Sequence, residues 1–266
     1  MVRLTYALRG PPSRESNDMK IEFRTVDIAI KLEQFTEDFL CNVNPKGKVP
    51  VLYHPTLLSH PMSESIAISD FICDRYPTLR PPEHAGTIDE LIKQLHDISF
   101  YSLTYQTRPE HPEAMRLKLQ ELMNQPDVSP RYKDALQNKI KLNDEEKVIG
   151  LQAPSVAENI EKAKAFCEKM ECLLANRPGS ESMYLFGDNP TVLDAHTLPF
   201  LIRMQDVGKE FIIPDGLAKY MGTLKRQKEW EEISPNGKTI PDMSLAGLKD
   251  ASLIKASVEA SKTRTR

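Results

Sequence analysis

The sequence is poor in the residues that build disulfide scaffolds, metal centres and membrane spans. It has four cysteines, six histidines and one tryptophan in 266 residues. Cys41, Cys73, Cys167 and Cys172 form no CxxC pair, and Cys167 and Cys172 stand five apart, which is not metal-ligand spacing. They are expected to be free, partly buried thiols. No HxxxH or HExxH pattern occurs, so no metal is expected. No apolar run reaches the length of a membrane span, and the opening MVRLTYALRGPPSRE is too short in apolar residues for a secretory signal. A soluble cytoplasmic protein with no membrane partner is the expectation. There is no basic excess either. Thirty-five lysines and arginines face 38 acidic residues, a net charge of −3, which argues against a general nucleic-acid binder.

Proline is plentiful: twenty against eleven glycines, which points to rigid turns and broken helices. The hydrophobic fraction of 40% is enough for a real core. Period-two alternation suggests strands over 2–8 (VRLTYAL) and 21–28 (IEFRTVDI), with the polar, Pro-broken segment 9–20 between them. A short helix over 33–41, a strand over 51–54 and a short strand over 57–60 follow. Ile66, Ile68, Phe71, Ile72 and Tyr76 then form a helical stripe, capped by Ser63 or Ser65 and stopped by Pro77. Pro81-Pro82 reads as a linker. Beyond it the pattern is helical: 87–107, 112–123 and 155–175, the last with Val156, Ile160, Ala163, Cys167, Met170 and Leu174 on one face. The expected division is an α/β unit over 1–79, an all-helical domain over 86–233 and a polar extension over 234–266. The polar stretch 124–150 reads as half of a helix hairpin or an ordered insertion.

Three motifs carry chemistry. Val49-Pro50 follows the turn NPKGK and precedes a buried strand. X-Pro is where a cis bond costs little, about 0.5–1 kcal/mol. A cis bond there would leave the Val49 N–H and C=O open to an extended peptide, like a strand added to an edge. Glu64-Ser65 opens a helix, whose first N–H groups and positive end suit a carboxylate, while Glu64 suits an ammonium in the same ligand. Thr191-Val192-Leu193-Asp194 reads as a capping box with Asp for Glu, a structural device.

An α/β unit with NPKGKVPVL, then SES opening a helix, then a helical half with GDNPTVLDA, resembles the glutathione transferases in that combination and order. The resemblance implies a thioredoxin-like N-terminal domain that binds glutathione, followed by an all-helical domain lining the electrophile site. It implies a cis Val49-Pro50 bond, with Val49 pairing to the cysteinyl backbone. Glu64 and Ser65 hold the γ-glutamyl end, and Lys46 or Lys48 faces the glycyl carboxylate. Phe100, Tyr101, Tyr105 and Arg108 are the candidates to line the electrophile site. A homodimer is implied by the same resemblance, and C2 pairing is the commonest symmetry.

The pattern departs from the family between the first two strands. Family members place a helix there, with a Ser, Tyr or Cys at its start that serves the thiol. Here only 9–20 intervenes, and Ser13, Ser16, Asn17 and Tyr6 are the nearby polar groups. A thiol of pKa about 8.5 needs a donor or a helix N-terminus to ionise at neutral pH, so Ser13 and Ser16 are the catalytic candidates. No cysteine lies in this loop, which argues against a disulfide mechanism. The resemblance is strongest to fungal glutathione transferases of secondary-metabolite pathways. It implies action on a small hydrophobic electrophile, by conjugation or by transient thiol addition that isomerises a conjugated double bond. The competing readings are a non-catalytic binding or assembly module on the same fold, and an unrelated helical protein with a small α/β cap.

Overall fold

The computed structural model describes residues 1–14, 18–177, 179 and 182–240. Only the first residues of the expected extension over 234–266 fall within that set. By compactness the chain forms two units, and their boundaries differ from the divisions at 79 and 86 expected from the sequence. One unit comprises Met1–Phe23, Pro50–Thr104 and Ala153–Thr239. The other is built from Arg24–Val49 and Tyr105–Gln152.

The first unit opens with a helix, α1 (Val2–Ala7), where alternation had suggested a strand. Six residues cannot hold a helix on propensity alone. Burial decides it: Leu4 and Thr5 are both buried, and Leu4 joins the main core. The sheet is one antiparallel ribbon, β1 (Val51–Leu52) and β2 (Met62–Ser63), with Val51 opposite Ser63 and Leu52 opposite Met62. The strand expected over 51–54 is therefore half as long, and 57–60 is turn and bend. A two-stranded ribbon is marginal by itself; here α2 (Ser65–Cys73) follows directly and buries Ile68, Ser69, Ile72 and Cys73. That helix ends at Cys73, and Pro77 starts a separate 3-10 turn.

The expected helix over 87–107 is two: α3 (Ala85–His96) and α4 (Phe100–Tyr105). Ile88, Leu91, Ile92 and Leu95 form the buried stripe of α3. Helix α7 (Ala153–Ala175) buries Val156, Ala163, Cys167 and Met170 of the expected face, with Phe166 beside them, while Ile160 and Leu174 are partly buried. Helix α8 (Val192–Asp206) is buried almost all round, the state of a helix at the centre of a core. Helices α9 (Asp215–Leu224) and α10 (Lys228–Ile233) complete this unit, and α10 adds the buried Trp230. Tyr184 forms an isolated bridge to Gly187.

The capping box at α8 is present as read from the sequence. Asp194 is fully buried and accepts four hydrogen bonds: from Thr191 N and Oγ1 at 2.7 Å, Tyr220 Oη at 2.7 Å and Leu185 N at 3.0 Å. One carboxylate thus ties the helix start to the preceding turn and to α9. Burial raises its pKa, while the four donors pull it back down.

The second unit has its own core of Phe35, Leu40, Leu119, Tyr132 and Leu136. Its helices are α5 (His111–Met123) and α6 (Pro130–Asn143), so 124–150 holds a full helix and a π-turn over Asp144–Val148. Ser129 caps α6 through Tyr132 N at 3.1 Å, with Pro130 at the first helical position. The 21–28 segment, expected as a strand, has no regular structure, and Phe23 and Ile28 are exposed. The helix expected over 33–41 is a 3-10 turn (Glu33–Phe35) and a π-turn (Phe39–Val43).

Candidate functional site

The polypeptide is strained where β2 meets α2. Glu64 has φ +83° and ψ +124°. That lies outside the small left-handed region open to residues with a Cβ. Holding a side chain there costs on the order of 1–3 kcal/mol, and such residues cluster at functional sites. The consequence is local. Glu64 is exposed and stands at the N-cap position, Ser65 is the first helical residue, and the Glu64 side chain does not cap the helix. Neither Ser63 nor Ser65 is the cap. The carboxylate, the Ser65 hydroxyl and the first-turn N–H groups of a nine-residue helix are therefore adjacent.

The neighbouring sequence-predicted residues fall on either side of the division between the units. Pro50 precedes β1 in the first unit. Lys46, Lys48 and Val49 belong to the second, in a turn stapled by Asn44: its Oδ1 accepts from Lys46 N at 3.0 Å and its Nδ2 donates to Lys48 O at 2.8 Å. Gly47 turns the chain at φ +56°, and a Cβ there would press on Leu40 and the Gln34 carbonyl at 3.0 and 3.1 Å. Buried Lys139 donates to the carbonyls of Lys46 and Gly47 from below. Lys48 pairs with Glu146 at 2.7 Å, so its charge is already matched within its own unit. Val49 is exposed.

Ser13 is not brought to this site. Its N–H donates to Arg75 O at 2.8 Å, just past the C-terminal end of α2. Ser65 stands at the other end of this nine-residue helix, a rise of about 12 Å. Ser16 and Asn17 lie outside the described residues. The Tyr6 hydroxyl is committed in both directions, donating to Met19 O at 2.6 Å and accepting from Ile21 N at 3.3 Å. Tyr76 holds the same loop from the other side, donating to Asp18 Oδ1 at 2.6 Å and accepting from Met19 N at 2.7 Å. Asp18, Met19 and Ile21, at the end of the segment expected to activate a thiol, are thus held by two tyrosines.

The electrophile-site candidates also divide. Phe100 and Tyr101 belong to the first unit, and Phe100 packs edge-on against Phe200 with centroids 5.4 Å apart. Tyr105 and Arg108 belong to the second, where Tyr105 stacks on His111 at 4.1 Å. An open cleft of about 380 Å³ is lined by Glu171 and Leu174 of α7, Arg177 just beyond it, and Lys219 of α9. Those elements carry none of the predicted site residues.

A buried polar chain was not foreseen from the sequence. His96 Nε2 meets His196 Nδ1 at 2.8 Å, and His196 Nε2 meets Ser69 Oγ at 2.8 Å. Ser69 Oγ meets Thr5 Oγ1 at 3.4 Å, and Thr5 Oγ1 donates to Met1 O at 3.4 Å. Burial lowers the pKa of both histidines; His196 is well below its usual range. The Glu64 carboxylate acts on His96 in the opposite sense. Ser69 sits one turn after Ser65 on α2, an i,i+4 spacing that was legible; its partners on α3 and α8 were not. Among the described residues no group of three or more His, Cys, Asp or Glu side chains is placed to hold a metal, and no helix is long and apolar enough to cross a membrane.

Comparison with known proteins bears on this site. Residues 17–74 match the family model described as the glutathione S-transferase N-terminal domain. The structure is similar to Gtt2 from Saccharomyces cerevisiae, with a TM-score of 0.53 and 18% identity, over 87% of this chain and 94% of that one. It also aligns with maleyl pyruvate isomerase, a bacterial zeta-class glutathione S-transferase, with a TM-score of 0.49 and 18% identity over 90% and 92% of the two chains. A search of curated proteins finds no sequence relative. The matched segment ends within α2's C-terminal turn and contains Val49, Pro50, Glu64 and Ser65. The fold is a thioredoxin-like domain with a small sheet followed by a largely helical region.

Proposed function

We propose that this member of the glutathione S-transferase family, a glutathione-transferase-like enzyme, holds the γ-glutamyl end of glutathione at the start of α2. The observation that carries the reading is the backbone of Glu64, held at φ +83° beside Ser65 at the first helical position. The ligand's α-carboxylate accepts from the Ser65 hydroxyl and first-turn N–H groups, aided by the positive helix end. Its α-ammonium pairs with the Glu64 carboxylate.

The chemistry is thiol addition to a small hydrophobic electrophile. The glutathione thiol loses its proton, its sulfur forms a bond to an electron-poor carbon, and the displaced π electrons collect on the electrophile's carbonyl oxygen. Protonation of the adduct completes a conjugation. Rotation about the now single bond, then re-expulsion of the thiolate, completes an isomerisation. Both outcomes share the first step. With Ser13 at the far end of α2 and the Tyr6 hydroxyl committed elsewhere, Ser16, backbone N–H groups or the substrate itself supply the thiolate's stabilisation.

Calorimetric titration with glutathione tests the reading. Wild type is expected to bind in the micromolar-to-millimolar range, and Ser65→Ala to lose about tenfold in affinity through one hydrogen bond to a charged group. Equal binding by both proteins removes the ligand from α2. Binding by wild type without turnover of any thiol-reactive electrophile would point instead to the assembly-module reading.

A further inference from the structure

The chain of hydrogen bonds from Met1 to His96 has a definite direction. The Met1 carbonyl can only accept, so the single Thr5 hydroxyl proton is spent on it. Thr5 Oγ1 must then accept from Ser69, which spends the Ser69 proton. Ser69 Oγ must accept from His196, which places the His196 proton on Nε2 and leaves Nδ1 bare. His196 Nδ1 must therefore accept from His96 Nε2–H. A neutral imidazole carries one ring proton, so His96 Nδ1 is left as a lone pair. That nitrogen makes no hydrogen bond among the described residues, and the side chain is only partly buried.

We propose that His96 is a ligand-contacting residue whose Nδ1 accepts a hydrogen bond from the α-ammonium of the γ-glutamyl group, with His196 and Ser69 as positioning residues that fix its tautomer. The inference rests on the placement of glutathione at Glu64 and Ser65. Two observations beyond the tautomer argument support it. Ser69, the link of the chain that lies on α2, sits one turn after Ser65, and the Glu64 carboxylate raises the His96 pKa against its burial. Burial also keeps His96 neutral, which an acceptor for an ammonium requires. The titratable and charged groups that act on this pair are the Met1 amino group and Glu64 on His96, with the Met1 amino group, His96 and Arg80 acting on His196. The arrangement selects an amino-bearing γ-glutamyl ligand over one with hydrogen in place of the amine.

Two measurements test it. In the wild-type protein, nitrogen-15 NMR of the histidine rings is expected to show both His96 and His196 as Nε2–H tautomers. A proton on His96 Nδ1 overturns the proposal. Calorimetry with glutathione and with its deamino analogue supplies the second. His96→Gln keeps a donor where Nε2–H stood, preserving the buried bond, and removes the Nδ1 acceptor. It is expected to weaken glutathione binding about tenfold and leave the deamino analogue unchanged. Wild-type affinity should also fall at acid pH, below the ordinary imidazole range because burial lowers the His96 pKa, as His96 gains a proton, and His96→Gln should lack that loss. His96→Asn, which restores an acceptor near the Nδ1 position, should recover part of the affinity. Equal losses for both ligands would reduce His96 to a structural role and overturn the proposal. No glutathione binding by wild type overturns the placement at α2 as well, and so separates the two failures.

Discussion

An Asp194→Ala protein is expected to lose about 3–5 kcal/mol of unfolding free energy. The carboxylate is fully buried and accepts from Thr191 N and Oγ1, Leu185 N and Tyr220 Oη. Alanine leaves those donors without an acceptor in a site that water does not reach, and each such group costs about 1–3 kcal/mol. A cap alone would cost about 1 kcal/mol; the excess comes from Leu185 and Tyr220, which a capping box does not require. Domains hold only about 5–15 kcal/mol in total, so the variant should sit near its unfolding midpoint under mild conditions. Urea titration read by the single tryptophan reports it, because Trp230 is buried in the same unit. Asp194→Asn, which keeps one oxygen acceptor, should lose roughly half as much. Equal midpoints for wild type and Asp194→Ala would refute the account.

The second large effect is acid destabilisation of the other unit through His111. Burial, with Lys147 and Arg108 adding like charge, lowers its pKa to about 4 from the usual 6.5. The ring packs against Tyr105 at 4.1 Å. Between those two pH values the unfolded chain binds a proton at His111 that the folded chain refuses. Stability from this group is complete above pH 6.5 and declines as pH falls toward 4. The slope is about 1.4 kcal/mol per pH unit, giving a loss of about 2 kcal/mol by pH 5 and about 3 by pH 4. Denaturant melts followed by circular dichroism at pH 7.5, 6, 5 and 4 should show this decline. His111→Gln, which cannot take up the proton, should show a shallower one. Parallel profiles for the two proteins would mean that His111 is charged in the folded state.

The helical half was readable because its signals are local. Ile88, Leu91, Ile92 and Leu95 repeat at helical spacing, and Thr191 with Asp194 announces a cap. The Glu64-Ser65 helix start was readable for the same reason. The first strands were misread because alternation over six or seven residues states only that one face is apolar. Leu4 is buried from a helix, and the Thr5–Ser69 contact is made from the same helix. The 21–28 run alternates equally well but has no partner strand, so Phe23 and Ile28 stay exposed. Ser13 was read by its nearness in sequence to the first loop, and a single backbone bond to Arg75 places it at the opposite end of α2. The histidine chain escaped because it joins residues about 100 positions apart. Nothing in LDAHTLPF distinguishes a satisfied core histidine from one that sets a neighbour's tautomer.

The φ of +83° at Glu64 places two selective demands in opposition at one position. Glycine would adopt that backbone without strain, and its gain in folding stability would be immediate. It would also remove the carboxylate. A lineage that drifts toward a sturdier fold therefore has an easy route at this codon, and taking it forfeits the charge proposed to pair with the ligand's ammonium. Under that proposal, an acidic side chain kept here against the gradient marks continuing use. A glycine at the same place in a duplicated copy would record that the use had ended.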